Sequence, residues 1–335
     1  MKNLIYIVSI AIVFVSCKKE VPKDYVTLSG TISNQNSDSL VVFEKDIIKT
    51  INVNLDGTFS DTLKVKTGDY IIFDGGESAP VYLKNGYDLN ITLDTKEFDE
   101  TITFQGAGAE ANNYLAKKTL LQEKAFNFED LMRLDRANFN KKLVSIENDF
   151  KSLLQNTKNL DTAFVSSQEK AATSLVKELA TVYEEKQFLL AMNGKESPKF
   201  VDYENYAGGS TSLEDLKGKY VYIDVWATWC GPCKMEIPFL KEVEKQYHNK
   251  NIEFVSISVD KEVDYDKWKT MITEKELSGI QLIADNDFKS TFVKDYKING
   301  IPRFILIDPQ GKIIDAEAPR PSNDKLIDLF KELNI

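Results

Sequence analysis

The chain has 335 residues, a hydrophobic fraction of 42% and a formal net charge of −10 at pH 7. That length and apolar content suit two or three packed domains and exclude a chain that is disordered throughout. No block of Lys and Arg offers the clustered positive charge that nucleic-acid phosphates require, so nucleic acid is not an expected partner.

Residues 1–16 carry Lys2, an apolar run from Leu4 to Val15 and the small Ser16, and Cys17 follows. The run is too short to cross a bilayer as a mature helix and reads as a cleaved signal peptide. It resembles a bacterial lipoprotein signal, with Phe14 where Leu is commonest. The resemblance implies cleavage before Cys17, lipidation of Cys17, attachment to a membrane through that lipid, and a place in the cell envelope, periplasmic or surface-exposed. The alternative is an ordinary secretory signal with an incidental cysteine. With Cys17 committed to lipid, residues 17–24 form a flexible charged tether.

From 25 to 106, short β-rich runs recur: Val26 to Ile32, Leu40 to Phe43, Ile51 to Leu55, Thr62 to Val65, Tyr70 to Phe73, Val81 to Leu83, Leu89 to Leu93 and Thr101 to Phe104. Asp56-Gly57 and Asn85-Gly86 are dipeptides that tolerate positive φ. They predict hairpins, antiparallel pairing and a small β-sandwich. The segment is similar to the N-terminal domain that precedes thioredoxin domains in lipoproteins of Bacteroidetes-type bacteria. Its aromatics, including Tyr70, Phe73, Tyr82 and Tyr87, are expected in the core, with a ligand platform as the sharper alternative.

Residues 110–193 change to helical periodicity. Leu143, Ile146, Phe150 and Leu153 share a face, as do Leu175, Leu179 and Val182. Asn193-Gly194 is a helix stop, and Lys195 to Pro198 is expected to be a linker. Residues 199–335 then alternate strand and helix, which predicts an α/β sheet covered on both faces. The strands are Tyr220 to Trp226, Ile252 to Val259, Gln281 to Ala284, Arg303 to Ile307 and Lys312 to Asp315. The helices are Pro232 to Tyr247, Asp264 to Lys275, Asp287 to Tyr296 and Asn323 to Leu333.

Chemistry concentrates where the first of these strands meets its helix, at Trp226-Ala227-Thr228-Trp229-Cys230-Gly231-Pro232-Cys233-Lys234. Cys230 is placed at a helix N-terminus, where unpaired N–H groups and the positive end of the helix dipole favour a thiolate. That makes it the nucleophile, and Cys233, one turn along, the resolving thiol. A closed zinc site needs four ligands, and the chain holds three cysteines and one histidine. A purely structural bridge gains little from so short a loop. Asp224 interrupts an apolar strand, so it is either a buried acid with a raised pKa or a solvent-facing strand position. Glu236 follows Cys233 by three residues and shares its helical face, or is a solvated helix carboxylate. Trp229 and Trp226 are candidates for the site's rim, Trp226 alternatively for the core, and His248 reads as a surface residue.

Trp-Cys-Gly-Pro-Cys-Lys resembles the active site of thioredoxin, and the continuation Met235-Glu236-Ile237-Pro238 is more like its membrane-tethered ResA/TlpA branch. The resemblance covers residues 199–335 and implies a C-terminal thioredoxin fold in a multidomain chain. In the family, the acid at Asp224 exchanges a proton with the resolving thiol, the acid at Glu236 tunes the site, and Ile301-Pro302 forms a cis-proline loop. Ile301, Pro302 and Trp229 would then meet the substrate. Ser256 stands where thioredoxin places a lysine near the buried acid. No cofactor beyond a redox-active Cys230–Cys233 disulfide is implied. The implied function is reduction of protein disulfides by mixed-disulfide exchange, with a DsbD-type membrane electron donor. The alternatives are an oxidase or isomerase, or a surface binding lipoprotein with a vestigial redox domain. A peroxiredoxin motif is absent, because Ala227 and Ile223 stand where Thr and Pro would be required.

Overall fold

The computed structural model describes residues 23–125 and 127–335; the expected signal peptide, Cys17 and residues 18–22 of the expected tether lie outside the described residues. The chain divides into two units between Glu178 and Leu179.

The first unit opens with β1 (Val26–Ser33), whose alternating burial turns Val26, Leu28 and Ile32 inward. β2 (Ser39–Phe43), β3 (Ile47–Asn52), β4 (Thr58–Leu63), β5 (Gly68–Phe73), β6 (Ser78–Leu83) and β7 (Asp88–Asp94) follow, then the single turn α1 (Phe98–Thr101) and β8 (Thr103–Ala107). They form two four-stranded sheets, ordered β4-β1-β7-β8 and β3-β2-β5-β6. Leu28 and Ile91 from one sheet and Leu40, Val42 and Ile72 from the other share one apolar cluster.

The expected hairpins at Asp56-Gly57 and Asn85-Gly86 are not hairpins. Both glycines take positive φ, +83° and +97°, but each turn carries the chain from one sheet to the other. The reason is β1. Its Ile32 N–H donates to the Gly57 carbonyl at 2.9 Å, and the Tyr25 carbonyl just before it accepts from the Gly86 N–H at 2.9 Å. β4 therefore pairs antiparallel to β1, and β7 pairs parallel to it. The run expected from Ile51 to Leu55 ends at Asn52, where pairing with Ser39 ends, and Leu55 is fully exposed in the turn. The run expected from Thr101 to Phe104 starts at Thr103, because α1 occupies the residues before it.

Helices α2 (Ala109–Ala125), α3 (Phe128–Arg133), α4 (Arg136–Asn156) and α5 (Thr162–Met192) complete the middle of the chain. On α4, Leu143, Ile146 and Phe150 are buried as expected, with Leu154 rather than Leu153 continuing the face. α2 does more than cover apolar surface. Asn112, fully buried, accepts from the Tyr82 N–H at 2.8 Å and donates to the Tyr82 carbonyl at 3.0 Å and the Gly108 carbonyl at 2.9 Å. Asn113 does the same for Phe104, accepting from its N–H at 2.9 Å and donating to its carbonyl at 2.7 Å. Tyr82 lies on the edge strand β6 and Phe104 on the edge strand β8, so adjacent side chains of one helix bond an edge of each sheet.

In the second unit, β9 (Tyr203–Asn205), β10 (Ser210–Thr211), β11 (Tyr220–Trp226), α6 (Gly231–Tyr247), β12 (Ile252–Ser258), α7 (Tyr265–Lys275), β13 (Ile280–Ile283), α8 (Thr291–Asp295), β14 (Arg303–Ile307), β15 (Ile313–Asp315) and α9 (Lys325–Glu332) build one seven-stranded sheet. Its order is β10-β9-β13-β12-β11-β14-β15, with β11, β12 and β13 parallel and β14 antiparallel to β11. Ile223 and Val225 enter the cluster on one face, while Tyr222 packs on the other with Leu240 and Val243 of α6 and Phe330 of α9. The segment expected as a linker is tied down. The Gly194 N–H donates to the Ile313 carbonyl at 2.7 Å, the Ser197 N–H donates to the Gly311 carbonyl at 2.9 Å, and Glu196 bridges Lys312. Backbone polar groups next to β15 take these partners because β15 is an edge strand with hydrogen-bonding capacity to spare.

Asn112→Ala leaves the buried N–H and carbonyl of Tyr82 without their side-chain partner. The expected loss is roughly 2–4 kcal/mol, read as a lower urea midpoint by circular dichroism. A midpoint unchanged from the parent would show that the edge bond contributes nothing.

Candidate active site

The site begins with β11, buried over nearly its whole length. Its last residue is fixed by the Val259 N–H, which donates to the Trp226 carbonyl at 2.9 Å. The loop that follows is held by a buried carboxylate. Asp260 accepts from the Thr228 N–H at 2.9 Å, the Thr228 hydroxyl at 2.8 Å and the Ser258 hydroxyl at 2.7 Å. Thr228 and Asp260 were not singled out in the sequence; a Thr two residues before the first cysteine and an Asp just beyond a buried strand were the only signals. With the loop fixed, Cys230 becomes the N-cap of α6. Its Sγ accepts from the Cys233 N–H at 3.1 Å, and Pro232 occupies the first turn.

Cys230 and Cys233 are joined by a disulfide with their Cα atoms 5.3 Å apart, and both are buried. The Ile301–Pro302 bond is cis, and the Ile301 carbonyl lies 3.8 Å from Cys230 Sγ. Trp229 is 57% exposed, with its ring centroid 6.3 Å from that of Phe288. It stands at the rim, while Trp226 is core.

Asp224 is buried, which removes the solvent-facing alternative. Burial first, then the charges of Glu236 and Glu244, push its pKa up to about 8. Its cross-strand neighbour is Ser256, so a hydroxyl rather than an ammonium lies beside it. Glu236 is buried as well. Its carboxylate accepts from the Ser322 N–H at 3.0 Å and the Ser322 hydroxyl at 2.9 Å, with Arg320 3.9 Å away. The loop before α9 thereby holds Glu236 in place, and its charge reaches Asp224. His248 is an exposed neighbour of Asn249.

A strand that delivers one cysteine to a helix N-terminus, a second cysteine one turn on, and a buried carboxyl in the same strand define a thioredoxin-like thiol-disulfide oxidoreductase. Residues 192–329 match the family model described as Redoxin. A thiol-disulfide oxidoreductase ResA of Bacillus cereus is 32% identical over 141 residues, 40% of this chain and 73% of that protein. ResA of Bacillus thuringiensis subsp. konkukian is 31% identical over 140 residues, 42% of this chain and 78% of that protein. A solution structure of a provisionally named thiol-disulfide oxidoreductase from Bacteroides vulgatus shares 51% identity, covering 42% of this chain and 91% of that one, with a TM-score of 0.37. The chain belongs to the ResA family of thiol-disulfide oxidoreductases.

The raised pKa of Asp224 has a consequence for stability. Its folded pKa of about 8 exceeds the unfolded value of about 3.9, so between these values the folded state binds the extra proton. The contribution of Asp224 is therefore most favourable below pH ~4 and is lost as pH rises through ~8. Asp224→Asn is expected to flatten this decline and to stabilise the second unit by roughly 2–5 kcal/mol at pH ~8. Urea midpoints measured by tryptophan fluorescence against pH test it, since all three tryptophans lie in this unit; parallel curves for parent and variant would refute it.

Proposed function

We propose that this chain reduces protein disulfides through Cys230 and Cys233, at the outer side of a membrane to which a lipid on Cys17 holds it. The observation that carries the proposal is the placement of Cys230 Sγ at the N-terminus of α6, accepting a backbone N–H and facing the Ile301 carbonyl. In the reduced protein the same N–H stabilises a Cys230 thiolate. That thiolate attacks one sulfur of a substrate disulfide, the other substrate sulfur leaves, and a mixed disulfide forms. Cys233 loses its proton toward Asp224 and attacks Cys230 Sγ, which releases the second substrate thiol and leaves the Cys230–Cys233 bridge. Ile301 and Pro302 receive an extended substrate segment against the cysteines, and exposed Trp229 supplies apolar contact at the rim.

The Gly-Pro dipeptide between the cysteines supports a low-potential reductant, as in thioredoxin at about −270 mV. Because the space outside the cytosol is kept oxidising, the bridge must be reopened by a dithiol donor, and a membrane carrier of the DsbD type fits that role. The first unit is read as a β-sandwich that, together with the helical segment, lies between the anchor and the redox domain along the chain.

Purified chain supplied with a dithiol donor should reduce insulin, and Cys230→Ser should lower that rate to background. A Cys233→Ser variant should accumulate mixed disulfides with its natural substrates. Insulin reduction that survives Cys230→Ser would refute the assignment, and a reduction potential above about −150 mV would replace the reductant with an oxidase.

A further inference from the structure

On the face of the sheet beneath α6, Asp224, Ser256 and Gln281 lie side by side across β11, β12 and β13. All three are buried polar residues in mostly apolar strands. They line a small pocket together with Trp226, Glu244 and Ser278. Three buried polar atoms of that lining, Asp224 Oδ1, Trp226 Nε1 and Gln281 Oε1, have no hydrogen-bond partner among the described residues. Leaving such atoms unpaired inside a protein is unfavourable, and one donor with two acceptors is the set that holds a buried water. Glu244 is buried, yet its Oε2 is hydrogen-bonded to the hydroxyl of Ser278, which is exposed. The pocket therefore has an inner carboxyl at Asp224 and an outer one at Glu244, whose bonded neighbour touches solvent.

Resting on the proposed function above, we propose that this pocket holds a water joining Asp224 to Glu244, and that Glu244 is the positioning residue through which Asp224 exchanges its proton with solvent. Proton balance is the reason a route is needed. When Cys233 gives its proton to Asp224 and attacks Cys230 Sγ, one sulfur–sulfur bond forms and one breaks, and the proton remains on a buried carboxyl. At neutral pH Asp224 is already largely protonated, because its pKa is raised to about 8, so it can take a proton only as it passes one on. Passing it to the water moves the water's own proton to the Glu244 carboxylate, and from there it leaves past Ser278. Burial also raises the pKa of Glu244, which lets it hold the proton on the way. Re-reduction runs the transfers in reverse.

The groups that face Asp224 electrostatically are Glu236 and Glu244 of α6 and the Tyr222 phenol of its own strand. Lys241 of α6 lines the pocket and acts on Glu244, with Lys241 itself near Glu276 at 3.8 Å and Arg320 on Glu236. Glu244→Gln removes one negative neighbour of Asp224 and the proton carrier together. In the full reduced chain reacting with DTNB, the first release of thionitrobenzoate reports Cys230 and the second reports Cys233. For the second, Glu244→Gln should lower the plateau of the pH–rate profile about tenfold and move its midpoint to lower pH. Gln281→Leu, which removes an acceptor from the water without touching a charge, should lower the same plateau without the downward shift of the midpoint. A parent chain that releases no second thionitrobenzoate would overturn the proposed function and the relay with it. A parent that does so, with either folded variant retaining the parent plateau, would overturn the relay alone.

Discussion

The second unit depends on one join, where a buried strand stops and a helix begins. Strand β11 can end where it does because Trp226 keeps a backbone partner in Val259, and the turn after it is secured by the three hydrogen bonds that Asp260 accepts. Only then do the free N–H groups of α6 converge at a fixed place. Cys230 sits there as the cap, so the groups that a helix must leave unpaired become the environment of a sulfur. Cys233 follows from helical pitch, and Ile301 is brought alongside by β14, which pairs with β11 in antiparallel register.

Beneath that join lies a cost. An apolar sheet face would bury Leu or Val at positions 224, 256 and 281 more favourably than a carboxyl, a hydroxyl and an amide. Glu236 and Glu244, both on α6, add negative charge over the same face. Glu236 is held by Ser322 and Glu244 by Ser278, so each is satisfied from a different loop. The protein therefore holds three carboxyl groups whose charges act on one another, an arrangement that opposes ionisation of the innermost one, Asp224.

Much of this unit was legible in the sequence, because its signals are local. The Cys-Gly-Pro-Cys run, the strand before it and the helix after it are contiguous, and the alternation of strands and helices marked five of the sheet's seven strands, though not their order. Asp224 was readable as a polar break in an apolar run. Glu244 and Gln281 were not, since a Glu on an amphipathic helix and a Gln on a short strand gain meaning only when register brings them to one pocket. β9 and β10 escaped notice because Tyr-Glu-Asn and Ser-Thr are short and mostly polar. In the first unit eight strands were expected and eight form, and all pairs but β1 with β7 are antiparallel as expected, but the two Gly turns do not join paired strands. A Gly turn specifies backbone sign, not the partner of the strand that leaves it, and the bonds from β1 that draw both turns toward it are long-range.

The paired asparagines of α2 bear on solubility as well as on packing. The unpaired backbone edge of a β-sheet is a template for another chain, and it recruits strands from neighbouring molecules unless something occupies it. Asn112 and Asn113 present amide groups that imitate a further peptide unit, one to β6 and one to β8. A helix cannot itself be extended by strand addition, so at these residues β6 and β8 meet a partner that does not continue the sheet. At Tyr82 and Phe104, on one edge of each sheet, the backbone groups that could recruit another chain are already taken.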